Sequence, residues 1–410
     1  IESSPSETGT GQVSQLEASH TVQVPITVTA VVDGVTTSGS SVIVEDVART
    51  IGSEIAWTHI DADGSEFVTS VVIAGFAVGS TVTYTDVGGL SHTFVATGTD
   101  TITLTGAHSA AGEAGIRTAL DTLNVTAPEH SDVNFQLGVS ITTTDNDSST
   151  TTQSFNHAVT VQAVADAPAV DVGAATKAAV DEDSGFVTYA VTTGLTDTDG
   201  SETYQSVVVQ FSTPGSGAAP IVQFGTTSGV IFDTSVSGQV TLTGSAADID
   251  AAMASLQVRP GSHNDADITI RVTATSIESN PTEDNNGATT GMGGGIVGPE
   301  IATPTATTIA SFVIPVGAVA DVPTVTGSGA GNEDENIPVS ITVGHADNAD
   351  GSETIKNVVI SNVPSGYTLA TTSTSGGVLT DNGSGQYTVT GPTDAAINDL
   401  LSKLVLTFVP

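Results

Sequence analysis

The acidic residues of this chain recur in a fixed order. Asp33 is followed by the pair Glu45-Asp46, Asp166 by Glu182-Asp183, and Asp321 by Glu333-Asp334. An acidic turn sequence comes next in every case: Asp61-Ala62-Asp63-Gly64-Ser65-Glu66, Asp197-Thr198-Asp199-Gly200-Ser201-Glu202 and Asp347-Asn348-Ala349-Asp350-Gly351-Ser352-Glu353. From the Glu of the pair to the Gly of the turn the separations are 19, 18 and 18 residues. A fourth element, Asp-x-Asn or Asp-x-Asp, precedes a later strand at Asp132 and Asn134 and again at Asp265 and Asp267. Carboxylates and amides grouped in this way are the donors of a hard divalent cation: Ca²⁺ takes roughly six to eight oxygens at about 2.3–2.6 Å. Like charges held together without a cation repel one another. Asp-Gly-Ser is also a good turn whose acids simply meet water, but three copies at one spacing favour Ca²⁺.

These positions hold 21 of the 45 Asp and Glu, in a chain of 410 residues with only 7 Lys and Arg and a net charge of −38. Such acidity gives no footing on phosphate backbones or anionic lipid, which argues against nucleic acid and membrane-surface partners. The absence of cysteine excludes disulfides, thiolate metal sites and a Cys nucleophile. No apolar run approaches the roughly 18 residues of a membrane span. No signal peptide of the secretory type opens the chain, so any export signal is expected outside it or of another type. With 38% hydrophobic residues the chain can fold, provided something manages the acids.

The elements that must carry these acids repeat as well. A strand follows each turn, at Val71-Val72-Ile73, Val207-Val208-Val209 and Val358-Val359-Ile360. Leu104-Thr105-Gly106, Leu242-Thr243-Gly244 and Val389-Thr390-Gly391 end a further strand and lead into a segment of helical spacing. In the second copy Ser245 caps that helix, with Asp248 three residues on and Ile249, Met253 and Leu256 on one face. The third copy places Ile397, Leu400, Leu401 and Leu404 in the same role. Strands are then expected over 135–143 and 268–275, and over 159–164 and 312–316, running into the Ala-Asp-x-Pro linkers at Asp166 and Asp321. The unit is mostly β with one small helix. Residues 1–32 read as the C-terminal strands of a preceding repeat, 33–168 and 169–323 as complete repeats, and 324–410 as an incomplete one. The second repeat carries a Gly-rich insertion at 280–308.

The linker, the opening Glu-Asp, the acidic turn and the later Asp-x-Asp together resemble the tandem cadherin-like, immunoglobulin-like repeats of giant bacterial RTX adhesins and related biofilm-associated surface proteins. The similarity covers essentially the whole chain. The resemblance implies an all-β fold of tandem β-sandwich repeats arranged as an elongated rod, with Ca²⁺ at the junctions and a ligand-binding tip held away from the cell. It also implies type I export. The first copy departs from the pattern with Gly34-Val35 where the others have Pro, and the third with Asp347-Asn348-Ala349-Asp350 in its turn. A junction site combining Asp166, Glu182, Asp199, Glu202, Asp265 and Asp267 is expected between the first two copies.

The main expectation is therefore a Ca²⁺-stiffened extracellular stalk at the bacterial cell surface, whose partners are its own neighbouring repeats. A ligand- or glycan-binding module is the alternative, using the 280–308 insertion or an exposed platform of Trp57, Tyr84 and Phe94, with a cell-surface glycan or protein as partner. Head-to-tail strand complementation between identical chains in a filament is a third, since 1–32 supplies strands of the kind the last copy lacks. Catalysis is not expected: the acids recur in every copy without singling out one pair. Gly293 to Gly298 spells a dinucleotide motif, but Pro299 follows and no strand precedes it. His59 and His345 stand just before acidic turns, where they are expected to flank the strand end rather than ligate. Trp57 is expected in the core.

Overall fold

The computed structural model describes residues 2–3, 18–29, 31–61, 63–197, 200–215, 217–278, 301–346 and 351–410. Asp199, Asp347, Asp350 and the glycine motif at 293–298 lie outside the described residues, as does most of the 280–308 insertion. The described chain forms two compact units, one of residues up to 129 with 134–161, the other of 130–133 with 162–278 and 301–410. Its regular structure is mostly β-strand, with three short α-helices among the described residues.

In the first unit an antiparallel sheet runs in the order Thr101–Thr105, Phe67–Ala74, Phe135–Thr144, Thr150–Val164. A second sheet runs Arg49–Thr50, Asn124–Thr126, Thr81–Thr85, Ser91–Val95, and Val35–Ser38 pairs with Ala56–His59. Alternating apolar residues bury one face of each strand, as a period of two requires: Leu137, Val139 and Ile141 meet Val71 and Ile73 in one core. Phe67–Ala74 breaks its own alternation, burying both Val68 and Val71. The register explains this, because it shifts between Thr142 and Thr143 and leaves Thr69 as an extra residue. The second repeat has the same bulge: Tyr204 pairs with Ser276 and Ser206 with Thr275, leaving Gln205 over. Both bulges fall three residues after the Glu of an acidic turn, where such an irregularity bends the strand and re-aims it.

The second unit holds two cores. The first lies beneath an antiparallel sheet of Val230–Asp233, Gln239–Gly244, Glu202–Ser212, Ile268–Glu278 and Thr305–Ile314. The other lies between the sheet Thr324–Gly329, Ile337–Gly344, Leu404–Phe408, Tyr367–Thr371 and the sheet Val358–Ile360, Gln386–Thr390, Val378–Gly383. The strands expected after each turn are thus present in all three copies. Two expected strands begin earlier, at Thr150 and Thr305. Residues 305–308 of the supposed insertion consequently belong to a ladder with Ala274 to Ile277.

The helices are α1 (Ala110–Leu120), α2 (Ala246–Ala254) and α3 (Asp394–Leu401). Ser109, Ser245 and Thr393 cap them by accepting the N–H of Gly112, Asp248 and Ala396. Leu256 and Leu404 are not on these helices, contrary to the periodicity. Each opens the strand that follows, and each is fully buried there. Helices of nine and eight residues are too short to continue the stripe, so apolar spacing located the core residue but not its element. Ser109→Ala removes an oxygen that satisfies an otherwise unpaired N–H, and is expected to lower stability by about 1 kcal/mol in denaturant unfolding.

Trp57 is in the core as expected, 5% exposed. This removes it from an exposed sugar platform. Tyr84 instead stacks on His92 and Phe94 meets Phe76 edge-on, both packed against the same core. His157 is fully buried, its Nε2 2.8 Å from Ser41 Oγ. No helix among the described residues is long and apolar enough to cross a membrane.

Candidate metal centres

The acidic turn is built locally. In the first copy Asp61 Oδ1 accepts the N–H of Asp63, and Asp63 Oδ1 accepts that of Ser65. Hydrogen bonds from Ser65 hold the Asp63 carboxyl below the usual carboxylate range. Gly64, Gly200 and Gly351 all adopt positive φ, +79°, +89° and +80°, with open space where a Cβ would sit. Conformation rather than room therefore demands glycine there.

The Glu that closes each turn reaches back to the linker. Asp33 N–H donates to Glu66 Oε1, Asp166 N–H to Glu202 Oε1, and Asp321 N–H to Glu353 Oε1, at 2.5 Å in all three copies. Gly34 N–H adds a second bond to Glu66. In the first unit this draws Asp33, Asp61 and Glu66 together, each offering an oxygen within 4.8 Å of the others. Glu66 and Glu202 are buried, 3% and 5% exposed. Burial pushes the Glu202 carboxyl up to about 7, and the Asp197 and Asp166 carboxylates add to the shift against the bonds that favour its charge.

The other acidic elements stand at the opposite end of each repeat. Glu202 pairs with Glu278, whereas Asp267 precedes Ile268 at the far end of the same strand. That 11-residue strand spans roughly 35 Å at about 3.3 Å per residue. The six acids expected to meet between the first two copies are thus not one group. Asp166 and Glu202 meet, with Asp197 accepting from Ser201 Oγ and Glu202 N–H. Glu182 and Asp267 lie instead against the segment leading to Asp321: Glu182 Oε1 accepts the N–H of Val319, and Asp267 Oδ1 that of Val316. Asp265 is half-buried beside Asp267. In the first copy Asn134 is placed likewise, accepting the N–H of Val161, and Asp132 is half-buried.

Asp46, Asp183 and Asp334 share a left-handed backbone, with φ of 57°, 57° and 58°. Glu45 and Glu182 are buried, but Glu333 is exposed. Asp334 N–H there donates to the Tyr367 hydroxyl.

Two histidines not expected at these sites join them. His263 Nδ1 lies 2.5 Å from Asp321 Oδ2 and 3.3 Å from Asp183 Oδ2, and its N–H donates to Asp183 Oδ1. His130 Nδ1 lies 2.6 Å from Asp166 Oδ2. Both have positive φ and both stand two residues before the Asp of the Asp-x-Asn/Asp element. That repeated spacing was visible in the sequence. Asp166 and Asp321 are therefore shared: Asp321 meets His263 of the second copy through its carboxylate and Glu353 of the third through its N–H. His59 and His345 flank the turns as expected, and their Nε2 atoms bond helix carboxylates, Glu113 at 2.9 Å and Asp394 at 2.8 Å.

The grouping fits a hard cation. Oxygens dominate the donor set, and Glu202 sits buried beside two like charges that a cation would neutralise. The direction of the shift sets a pH dependence. Glu202 takes up a proton on folding between its ordinary 4.5 and about 7, so the ion-free protein loses this stability as pH rises through that window. In chelator, Glu202→Gln is expected to melt above the wild type at pH 7.5 and level with it at pH 4.5. Burial acts oppositely on His157, holding its pKa below the ordinary 6.5, so its contribution is lost as pH falls from 6.5.

No family model matches the chain, and no curated protein matches it. Among solved structures it is similar to mouse cadherin-23 EC22–24, at 10% identity over 92% of this chain and 86% of that one, with a TM-score of 0.33. Protocadherin Gamma B7 extracellular cadherin domains 1–4 give 8% identity over 88% and 69%, with a TM-score of 0.27. Zebrafish RET cadherin-like domains 1 to 4 give 11% over 87% and 64%, with a TM-score of 0.24. At such identities and TM-scores the likeness carries no residue's role to this chain.

Proposed function

We propose that this chain is a Ca²⁺-stiffened extracellular stalk, the extender region of a bacterial adhesin that supports surface attachment and biofilm formation. The observation that carries this reading is the shared linker aspartate. Asp321 bonds a residue of the repeat before it and a residue of the repeat after it, amid Asp183, Glu182 and Asp267, and Asp166 repeats the pattern with His130 and Glu202. Without a cation, these carboxylates repel and the linkers bend. A bound Ca²⁺ replaces the repulsion with shared coordination and fixes the angle between repeats.

Extracellular modules hold Ca²⁺ at about 10⁻⁴–10⁻³ M, a range in which the external ion fills the sites. The repeats themselves are the partners in this role, and no small-molecule chemistry is asked of them. Calorimetric titration of the full chain with Ca²⁺ tests the proposal: saturable heat in that range is expected, and Asp166→Asn with Asp321→Asn is expected to remove most of it. Absence of binding at millimolar Ca²⁺ would sink the proposal.

A further inference from the structure

Each helix carries one carboxylate that holds the two stems of the neighbouring acidic turn. Glu113 of α1 is 8% exposed. Its Oε2 accepts from His59 Nε2 at 2.9 Å and from the N–H of Val68 at 3.0 Å, and its Oε1 from Trp57 Nε1 at 2.9 Å and Arg117 Nη2 at 3.0 Å. His59 stands two residues before Asp61 and Val68 two residues after Glu66, so one side chain spans the turn from stem to stem. In the third copy Asp394 of α3 accepts from His345 Nε2 and from the N–H of Ile355, both at 2.8 Å. Ile355 is again two residues past the turn Glu. In the second copy Asp250 of α2 accepts from Thr193 Oγ1 at 2.6 Å and the Tyr204 hydroxyl at 3.0 Å. Tyr204 is two residues past Glu202, and Thr193 precedes Asp197 by four residues as Trp57 precedes Asp61. The donors differ in kind and in exact position from copy to copy, but in each copy one comes from either stem.

We propose that Glu113, Asp250 and Asp394 are positioning residues of the cation sites, clamping the stems of each acidic turn so that its oxygens face the linker Asp before the cation arrives. The proposal rests on the Ca²⁺ reading above and adds to it residues that are not ligands. Glu113 already receives four donors, three from the stems and one from Arg117 of its own helix, which leaves its oxygens committed. Burial alone would raise its carboxyl, and those four donors outweigh burial and hold it below the ordinary range. The bulge at Thr69 begins one residue past Val68, so on the turn side of it the strand pairs with its neighbour only at Phe67 and Val68, and the Glu113 bond to Val68 N–H adds a hold at that short stretch. Outer partners of this kind typically change metal affinity by about 10–100-fold.

Trp57 is the only tryptophan and bonds Glu113 directly, so its emission reports on the first copy alone. The experiment titrates the full chain with Ca²⁺, reading Trp57 emission and calorimetric heat together. Glu113→Gln is expected to raise the Ca²⁺ midpoint seen by Trp57 about 10-fold or more, and His59→Phe, which frees one stem, to raise it less. Ser109→Ala removes the cap of the same helix without removing a bond to the Glu113 carboxylate or to a stem, and is expected to lower the melting temperature while leaving the midpoint in place. If Glu113→Gln does not fold, His59→Phe decides. Wild-type heat accompanied by a silent Trp57, or by unshifted midpoints in both turn variants, overturns the clamp and leaves the Ca²⁺ sites standing. No heat in the wild type overturns the sites and the clamp together.

Discussion

Removing divalent cations is expected to lower the melting temperature of this protein by roughly 5–10 °C and to loosen its linkers. The size follows from mass action: a site filled at about 100 times its dissociation constant stabilises the folded state by about 2.7 kcal/mol. In a repeat of this length each kcal/mol moves the melting temperature by roughly 2–4 °C. Ten millimolar Ca²⁺ meets that condition for a site near 10⁻⁴ M. The loss should be largest at neutral pH and above, where Glu202 is ionised beside Asp166 and Asp197 without a counter-ion. Scanning calorimetry and small-angle scattering in excess chelator check both parts. Identical melting curves and scattering profiles with and without Ca²⁺ would contradict the proposal outright.

Phe312→Ala is expected to cost about 3–5 kcal/mol, the usual range for truncating a buried aromatic. Phe312 is 1% exposed in the core of the second repeat, with Tyr189 6.0 Å away and the Lys177 ammonium 4.7 Å above its ring. Its loss opens a cavity beneath Thr305–Ile314, the strand that runs toward Asp321. Melting of the second repeat should therefore fall by roughly 10 °C, measured by scanning calorimetry. Because Asp33, Asp61 and Glu66 belong to the other unit, the Trp57 titration should not move. A loss of Ca²⁺ response at Trp57 would show that Phe312→Ala disturbs more than its own repeat.

The contrast between fold and site shows where sequence information stops. The strands at Val71, Val207 and Val358 were legible because a run of β-branched residues is a local property of the chain, and so was the cap at Ser245, whose bond spans only three residues. The bulges at Thr69 and Gln205 were not legible. They arise from the register of two strands far apart in the chain, so Val68 and Val71 are both buried against the expected alternation. Leu256 and Leu404 show the same limit, since their burial was evident but a strand claims them rather than a helix.

Within the candidate sites, Glu113, Asp250 and Asp394 gave no positional signal. They stand four, five and one residues after their caps, and only the packing of each helix against its turn makes them equivalent.

The sequence by itself determined the period of the acids, their oxygen chemistry and the order of linker, pair, turn and Asp-x-Asn/Asp. Only the tertiary structure decided which of them meet. Spacing along a chain fixes how often a group recurs, whereas strand direction and register fix its neighbours. A strand roughly 35 Å long sends Glu202 and Asp267 to opposite ends of one repeat. The same geometry places Asp166 and Asp321 each between the turn Glu that follows it and a histidine that precedes it, His130 and His263, brought in from loops more than thirty residues away.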